Sequence, residues 1–316
     1  MEQRLDERPL VLGIVGATGT GKSELSLNLA HQFHGCIISA DSMQVYRGMD
    51  IGTAKLPPQR REGIHHALID VASPHDHFSV AAYQELAVAA VQQALSSGCL
   101  PIIVGGTGLY VRAVLDGYEF SPVGPDMAVR AQFHMLSEAE LRERVRAIDP
   151  RAEAEIAAHD RRRLERVLEM AAQSDELPSS LKHRRREVPW RVVRIGLRAD
   201  RPDLYRRLDA RVDAMIATGM EEEVRRLLND GLSMQDTAMQ GIGYKELAAW
   251  LHGELPREQA VNLWKKRTRA YAKRQETWFR KEQGVHWIDV SGLSPQEVHA
   301  RAAEVVEHAL QGDGES

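Results

Sequence analysis

The first residues that could do chemistry form a glycine-rich loop near the start of the chain. The run Gly16-Ala17-Thr18-Gly19-Thr20-Gly21-Lys22-Ser23 fits G-x-x-x-x-G-K-[ST], a phosphate-binding pattern when it joins a strand to a helix. Its glycines let backbone N–H groups surround phosphate oxygens, and the helix N-terminus adds partial positive charge. Lys22 would add a full charge, and the Ser23 hydroxyl is placed to bind Mg²⁺. The pattern does not identify the phosphate compound, since ATP and any other diphosphate satisfy it.

A carboxylate follows the second predicted strand, in the run Ser39-Ala40-Asp41-Ser42-Met43-Gln44. Ligands of open α/β sheets bind at the carboxyl ends of the strands, so we expect Asp41 near the loop at 16–23. In a kinase it could position a hydroxyl acceptor or Mg²⁺, and in a transferase it could take a proton from the incoming nucleophile. The alternative is a loop aspartate that only caps the next turn.

A second glycine-rich loop, Gly105-Gly106-Thr107-Gly108, follows the third predicted strand. It lacks the lysine of the first loop, but its position places Thr107 on the same edge of the sheet as Asp41. Thr107 could therefore act in the site, or it could simply cap the helix that follows. The sequence leaves both interpretations open.

Basic residues are concentrated in three segments, at 161–166, 182–186 and 265–281. The last holds eight Lys or Arg residues and a single acid, Glu276, although the whole chain has a net charge of −4. Basic residues interleaved with Tyr and Trp suit a nucleic-acid backbone with unstacked bases beside it. A solvated helix face is the alternative for any one segment. Three such segments in one chain favour a nucleic-acid partner.

The elements that must position these residues predict an α/β fold. Strand signals at Leu10–Val15, Cys36–Ser39 and Pro101–Val104 alternate with helical patterns at 23–32 and 81–97. This rhythm is typical of a parallel sheet with crossover helices. The predicted core is therefore P-loop NTPase-like, with a mostly parallel sheet flanked by helices.

The pattern changes from Asp126 to Gln173, where no strand signal occurs and Asp149-Pro150 divides the segment into two predicted helices. A strand returns at Trp190–Leu197. We predict a first core part at 1–120, an inserted all-helical subdomain at 121–190, and a core completion at 191–316. The last part is mostly helical, with Pro256 in the first turn of its longest helix. A short strand lies at 285–289, before a terminal helix.

The composition predicts a soluble, cytoplasmic protein. The chain has 316 residues, of which 43% are hydrophobic and 27% charged, enough to bury a core. Its apolar runs are too short to span a bilayer, and its first residues lack the apolar stretch of a signal peptide. Two cysteines, Cys36 and Cys99, are too few for a disulfide framework or a four-ligand zinc site. We expect no membrane partner and infer no obligate protein partner.

Taken together and in this order, the motifs resemble the bacterial tRNA dimethylallyltransferases, also called tRNA isopentenyltransferases. The resemblance covers nearly the whole chain, through the segments 16–23, 41–46, 48–55, 65–66, 105–110, 163–169, 243–246 and 271–280. It implies transfer of a dimethylallyl group from dimethylallyl diphosphate to N6 of the adenosine 3′ of the anticodon, at tRNA position 37. Diphosphate would be released, Mg²⁺ would be required, and the basic hairpin would grip the anticodon stem-loop.

The resemblance also implies roles for individual residues. The catalytic set is Asp41, as general base for the adenine amine, with Lys22 and Thr107. The diphosphate would lie on Gly16, Ala17, Thr18, Gly19, Thr20, Gly21, Lys22 and Ser23, with Ser23 as the metal ligand. The implied tRNA-binding residues are Asp41, Ser42, Met43, Gln44, Thr107, Arg130, Arg162, Arg163, Leu164, Glu165, Arg166, Gly243, Tyr244, Lys245, Lys273, Arg274, Gln275, Trp278 and Arg280.

The chain departs from the family pattern at His159-Asp160, at 173–178 and at Gln240-Gly241-Ile242. The first two departures fall in the insertion and bear on the hairpin, not on the chemistry. Three other functions compete with the transferase: a P-loop small-molecule kinase, a prenyltransferase acting on free AMP or ADP, and a non-enzymatic RNA-binding protein. The kinase explains the first loop and a nearby Asp but not the basic segments.

Overall fold

The computed structural model describes residues 7–120, 124, 126–174, 176–181 and 184–311. These residues form two compact units. One contains the chain up to Leu115 and from Val188 onward, and the other is Asp116–Glu187. Compared with the predicted insertion at 121–190, the second unit begins and ends a few residues earlier.

The larger unit is built on a parallel sheet. In the described part of the chain its six strands are β1 (Leu10–Gly16), β2 (Gly35–Ser39), β3 (His66–Ala67), β4 (Leu100–Gly105), β5 (Arg191–Arg198) and β6 (Val285–Asp289). Their order is β3-β2-β4-β1-β5-β6, and every neighbouring pair is parallel. The predicted α/β class and mostly parallel sheet are confirmed. The sequence missed β3, because two residues are too few to show a period.

Strand β1 lies in the middle of the sheet and is buried along its whole length. This explains its unbroken apolar run, since a central parallel strand is covered on both faces. Val11 and Val15 pack into the core on one face, while Leu12 and Ile14 pack into the core on the other. The site described below therefore lies at the end of a strand that is packed on both faces of the sheet.

Three helices precede the insertion: α1 (Lys22–Gln32), α2 (Val80–Ser96) and α3 (Gly108–Leu115). The first two follow the sequence prediction to within a residue at each end. Ser79 caps α2 by accepting a hydrogen bond from the Ala82 N–H. Because α1 follows β1 and α3 follows β4, both helices begin at the carboxyl edge of the sheet.

The smaller unit contains five helices in its described residues: α4 (Met127–His134), α5 (Glu138–Ile148), α6 (Pro150–Glu155), α7 (Arg161–Gln173) and α8 (Pro178–Leu181). The break at Asp149-Pro150 is present, but two helices were too few. Ser137 and Glu140 form a capping box that starts α5, and Asp160 caps α7. These caps are local signals that divide the helical region further.

The ends of the smaller unit are joined by backbone hydrogen bonds. The Arg186 N–H donates to the Gly117 carbonyl at 2.9 Å, and the Glu119 N–H donates to the Arg184 carbonyl at 3.2 Å. Tyr118 and Arg185 form an antiparallel bridge between them. The chain thus enters and leaves this unit through a short two-stranded ladder.

After the insertion the larger unit continues with α9 (Arg201–Ala217), α10 (Met220–Asn229), α11 (Tyr244–Leu251), α12 (Arg257–Phe279) and α13 (Pro295–Gln311). Pro256 is the N-cap of α12 and not part of its first turn, a correction of one position. Among the described residues, no helix combines the length and the apolar character that crossing a membrane requires.

Candidate active site

The loop at 16–23 has the backbone of a phosphate cradle. Gly16 and Gly21 both have positive φ angles, of 140° and 93°. A Cβ at Gly16 would lie 2.4 Å from the Leu197 carbonyl oxygen, so only glycine fits there. Gly21 is the N-cap of α1, and the helix begins at Lys22. The N-terminal N–H groups of α1 therefore open onto this loop.

Among the residues that the structure describes, no carboxylate is hydrogen-bonded to Lys22 in this loop. Its Nζ donates to the Ala17 carbonyl at 2.7 Å. Burial lowers the pKa of Lys22 to about 8, an effect that the Asp41 carboxylate opposes and the Arg211 guanidinium reinforces. A bound anion would reverse this shift, because it favours the protonated amine.

Asp41 caps a turn and also faces the cavities. Its Oδ1 accepts hydrogen bonds from the Met43 N–H at 2.9 Å and the Gln44 N–H at 3.4 Å. Both bonds use the same oxygen, and no described residue donates to Oδ2. The capping role and a chemical role are thus compatible, since each needs a different oxygen.

Thr107 joins the loop after β4 to the loop after β2. Its Oγ1 accepts a hydrogen bond from the Ser42 N–H at 3.1 Å. Its own N–H donates to the Ala40 carbonyl at 3.2 Å. The side chain therefore fixes the surroundings of Asp41.

Two cavities meet at Asp41. The larger, of about 770 Å³, is lined by the loop at 18–23 and by Gly105 and Gly106. The smaller, of about 320 Å³, has an apolar wall made of Met43, Leu208, Val212, Met215, Ile242 and Trp264. Both cavities are lined by the same five residues, which are Thr18, Asp41, Thr53, Arg211 and Tyr271. A phosphate group in the first cavity and an apolar or aromatic group in the second would come together beside Asp41.

Arg211 is the main site residue that sequence reasoning missed. It lies on α9, half-buried, with Nη1 3.5 Å from Oγ1 of Thr18. Burial lowers its pKa, and the Asp41 carboxylate opposes that shift. A usable signal was present: Arg211 falls on the helical face that also carries the buried Leu204 and Leu208. Because a buried charge is costly without an opposite charge or hydrogen-bond acceptor, an arginine on this face predicts an anionic or polar partner.

Comparison with known proteins decides between the competing functions. The sequence profile of the family described as IPP transferase matches residues 44–282. The chain belongs to this family. The tRNA dimethylallyltransferase of Moorella thermoacetica is 44% identical over 317 residues, covering 97% of this chain and 98% of the relative. That of Nocardioides sp. is also 44% identical, over 312 residues and 96% of this chain.

Solved structures of IPP transferases agree with the fold. The full-length tRNA isopentenylpyrophosphate transferase of Bacillus halodurans is 37% identical, with a TM-score of 0.72 over 96% of this chain and 99% of its own. A eukaryotic dimethylallyltransferase acting on tRNA is 27% identical and has a TM-score of 0.83, covering 96% of this chain and 80% of the other. The resemblance drawn from the sequence motifs is confirmed at the level of the family.

Within this IPP transferase the basic residues of α12 divide into two groups. Lys265 and Arg269 pair with Asp213 and Asp209 of α9, at 2.6 and 2.5 Å, and Arg267 pairs with the buried Glu246 of α11. These charges hold helices together. Lys266, Lys273 and Arg274 are exposed instead, and so is Arg280, the C-cap that follows the helix. Sequence reasoning treated the whole segment as one surface, but only part of it faces outward.

Three side chains expected to bind tRNA are buried. Leu164 lies in the core of the smaller unit, and Gln275 is 5% exposed. Tyr244 is 1% exposed and donates its hydroxyl to Oε1 of Glu223 at 2.6 Å. Leu164 is enclosed in the core of its own unit, whereas Tyr244 lines the smaller cavity and Gln275 lines the larger one.

Other predicted tRNA residues near the site have internal contacts. Ser42, Met43 and Gln44 surround Asp41, and Gln44 Nε2 donates to the Thr53 carbonyl at 3.2 Å. Trp278 is half-buried and packs against Gly108. A Cβ at position 108 would lie only 2.1 Å from Nε1 of Trp278. Gly243 is the buried N-cap of α11. Lys245 contacts Gln240, with Nζ 3.3 Å from Oε1.

The arginines of α7 differ in how they are held. Arg162 is exposed, whereas Arg163 contacts Asp160 at 3.3 Å. Arg166 pairs with the fully buried Glu169 at 2.8 Å. Glu165 pairs with Arg161 at 2.7 Å. Arg130 lies in α4, but its side chain falls outside the described residues, as do Lys182 and His183.

Proposed function

We propose that this protein transfers the dimethylallyl group of dimethylallyl diphosphate to N6 of the adenosine at tRNA position 37, and releases diphosphate. Asp41 lies where the phosphate cavity meets the apolar-walled cavity, and this position supports the proposal most strongly. The apolar wall of the smaller cavity suits a prenyl chain or an adenine ring. The curated relatives cited above are named tRNA dimethylallyltransferases.

The loop at 16–23 would bind the diphosphate and stabilise it as it leaves. As the C–O bond breaks, negative charge grows on the leaving diphosphate and positive charge on the allylic carbon. Lys22, Arg211 and the N–H groups at the start of α1 are placed to stabilise the first of these charges. Lys22 donates to the Ala17 carbonyl at 2.7 Å, and Nη1 of Arg211 lies 3.5 Å from Oγ1 of Thr18, so both cations already stand at the loop.

Mg²⁺ fits the donor set of the larger cavity. Ser23 offers an exposed hydroxyl on the first turn of α1 and lines this cavity. Among the described residues, no cluster of three or more His, Cys, Asp or Glu side chains could hold a metal. The ion would therefore rely on Ser23 and on diphosphate oxygens, as Mg²⁺ commonly does. When bound, it would neutralise charge on the leaving group.

At the acceptor end, Asp41 is suited to be the base. The N6 lone pair of adenine is delocalised into the ring, so the amine is a weak nucleophile. Oδ2 of Asp41 could accept a hydrogen bond from N6–H and remove the proton as the C–N bond forms. Oδ1 meanwhile keeps its bonds to Met43 and Gln44, which hold the carboxylate in place.

The adenosine must leave its stack to reach this cavity, because N6 is inaccessible in a stacked base. The exposed cations of α12 are suited to the phosphates on either side of such a nucleotide. Arg274 lines the smaller cavity and lies over the Tyr271 ring at 5.6 Å. The tRNA anticodon stem-loop is thus the proposed partner, and the cytoplasm the proposed location.

The test is incubation with labelled dimethylallyl diphosphate and tRNA, followed by digestion and nucleoside analysis. We expect label in N6-dimethylallyladenosine and release of one diphosphate for each transfer. The matched control replaces the position-37 adenosine by guanosine, which lacks the N6 amine. Label on free AMP but not on tRNA would support the adenylate prenyltransferase. Phosphate transfer from labelled ATP without prenyl transfer would support the kinase.

A further inference from the structure

Gln275 ties helix α12 to both glycine-rich loops. Its Oε1 accepts a hydrogen bond from the Thr18 N–H at 2.8 Å, and its Nε2 donates to the Gly106 carbonyl at 3.0 Å. The side chain is 5% exposed and lines the larger cavity. Tyr271, one turn earlier on the same helix, lines the same cavity. One neutral amide thus connects the loops after β1 and β4.

Each of these two hydrogen bonds would affect how the cavity binds an anion. The bond to Thr18 fixes the third residue of the cradle, so that the N–H groups that follow are held for the ligand. The bond to Gly106 occupies a carbonyl oxygen on the wall of a cavity that would hold a diphosphate. An unbound carbonyl oxygen there would repel the anion, since both carry negative charge.

No other side chain of this length does both. An amide accepts and donates at once and carries no charge. A carboxylate would still accept from Thr18 but could not donate to Gly106, and it would bring a negative charge to the phosphate site. An apolar side chain would leave both backbone groups without a partner, in a region where unsatisfied groups are costly.

We propose that Gln275 is a positioning residue for diphosphate binding and not a contact to tRNA. The inference rests on the proposed function, because it takes the cradle to hold the diphosphate of the prenyl donor. It also places α12 in two roles. Lys273 and Arg274, which directly precede Gln275, are exposed, whereas Gln275 itself turns inward to the cradle.

The experiment compares Gln275→Met and Gln275→Glu with Gln259→Met. Gln259 lies on the same helix but is exposed, so its variant makes the same chemical change away from the cavity. Affinity for magnesium diphosphate is measured by calorimetry without tRNA, tRNA affinity is measured separately, and thermal melting checks the fold. Steady-state kinetics then give kcat and both KM values.

We expect Gln275→Met to weaken diphosphate binding about tenfold, as for loss of one well-made buried hydrogen bond, and Gln275→Glu to weaken it further. KM for dimethylallyl diphosphate should rise in parallel, while tRNA affinity stays within about twofold. Gln259→Met should match the wild type throughout. If Gln275→Met does not fold, Gln275→Glu decides alone, because it keeps the bond to Thr18.

Unchanged diphosphate affinity with weakened tRNA binding would overturn the inference and return Gln275 to the tRNA-binding set. Unchanged affinity for both ligands would overturn it as well. Failure of the proposed function would look different: the wild-type protein itself would then transfer no prenyl group from dimethylallyl diphosphate to tRNA, whatever its affinity for diphosphate.

Discussion

The Ser42 N–H donates a 3.1 Å hydrogen bond to Oγ1 of Thr107, and so links the loops that follow β2 and β4. These strands are neighbours in the sheet, and Asp41 precedes Ser42 directly. The position of the carboxylate therefore depends on a hydroxyl that lies 65 residues after Ser42 in the chain. We expect Thr107→Val to reduce kcat about tenfold or more, because the carboxylate loses its alignment. Thr107→Ser keeps the hydroxyl and should retain most of the activity, and equal losses in the two variants would contradict this role.

Asp41→Asn separates the two functions of this side chain. The amide oxygen can still accept from the Met43 N–H, so the turn should persist. The base is lost, and kcat should fall by roughly 100-fold or more while both substrates still bind. Single-turnover kinetics with binding titrations test this. Poor binding of dimethylallyl diphosphate, with turnover restored by higher Mg²⁺, would instead assign Asp41 to the metal.

Lys22 should make diphosphate binding depend on pH. Its lowered pKa of about 8 means that the free protein loses this charge as the pH rises through that value. Since the anion favours the protonated amine, affinity for magnesium diphosphate should fall between pH 7 and pH 9. Lys22→Arg keeps its charge over this range and should show a flatter profile, with ionisation of the ligand common to both proteins. Lys22→Ala should cost on the order of 3 kcal/mol of transition-state stabilisation.

The arginines of α7 should separate into binding and stability effects. Arg162 is exposed, so Arg162→Gln should raise the KM for tRNA and flatten its salt dependence. Arg166 neutralises the buried Glu169, and Arg166→Gln should lower the stability of the smaller unit by about 1–3 kcal/mol. Neither variant should change affinity for dimethylallyl diphosphate. Denaturant melts and filter binding at several salt concentrations check both expectations, and an unchanged salt slope would leave Arg162 as an ordinary solvated residue.

Glu223 should matter more for stability than its distance from the chemistry suggests. This buried carboxylate accepts hydrogen bonds from the N–H groups of Asp50, Ile51 and Gly52 and from the Tyr244 hydroxyl. Glu223→Ala removes all four and should destabilise the fold by about 3 kcal/mol or more. Tyr244→Phe removes one and should cost about 1 kcal/mol, with the KM for tRNA unchanged. A raised KM without a loss of stability would restore Tyr244 as a tRNA contact.

The fold was largely predictable because its signals are local. A buried central strand reads as an apolar run, and the glycines and Lys22 mark the turn into α1. Asp41 and Thr107 could be placed together because parallel strands end at one edge. Arg211 and Gln275 could not, because each acts across the core from a helix remote in sequence. A run of basic residues has the same sequence pattern whether its side chains face solvent or pair with carboxylates. Only the structure shows that Lys265 and Arg269 form ion pairs with α9.

The ladder that joins Gly117 to Arg186 has a consequence for how such proteins diversify. Because the chain departs and comes back at adjacent backbone positions, the helical unit is a single contiguous block of sequence attached at one point. Recombination at that point can lengthen, shorten or replace the block while every strand of the sheet keeps its neighbours. A change in the length of this block would therefore leave the loops after β1, β2 and β4 in place.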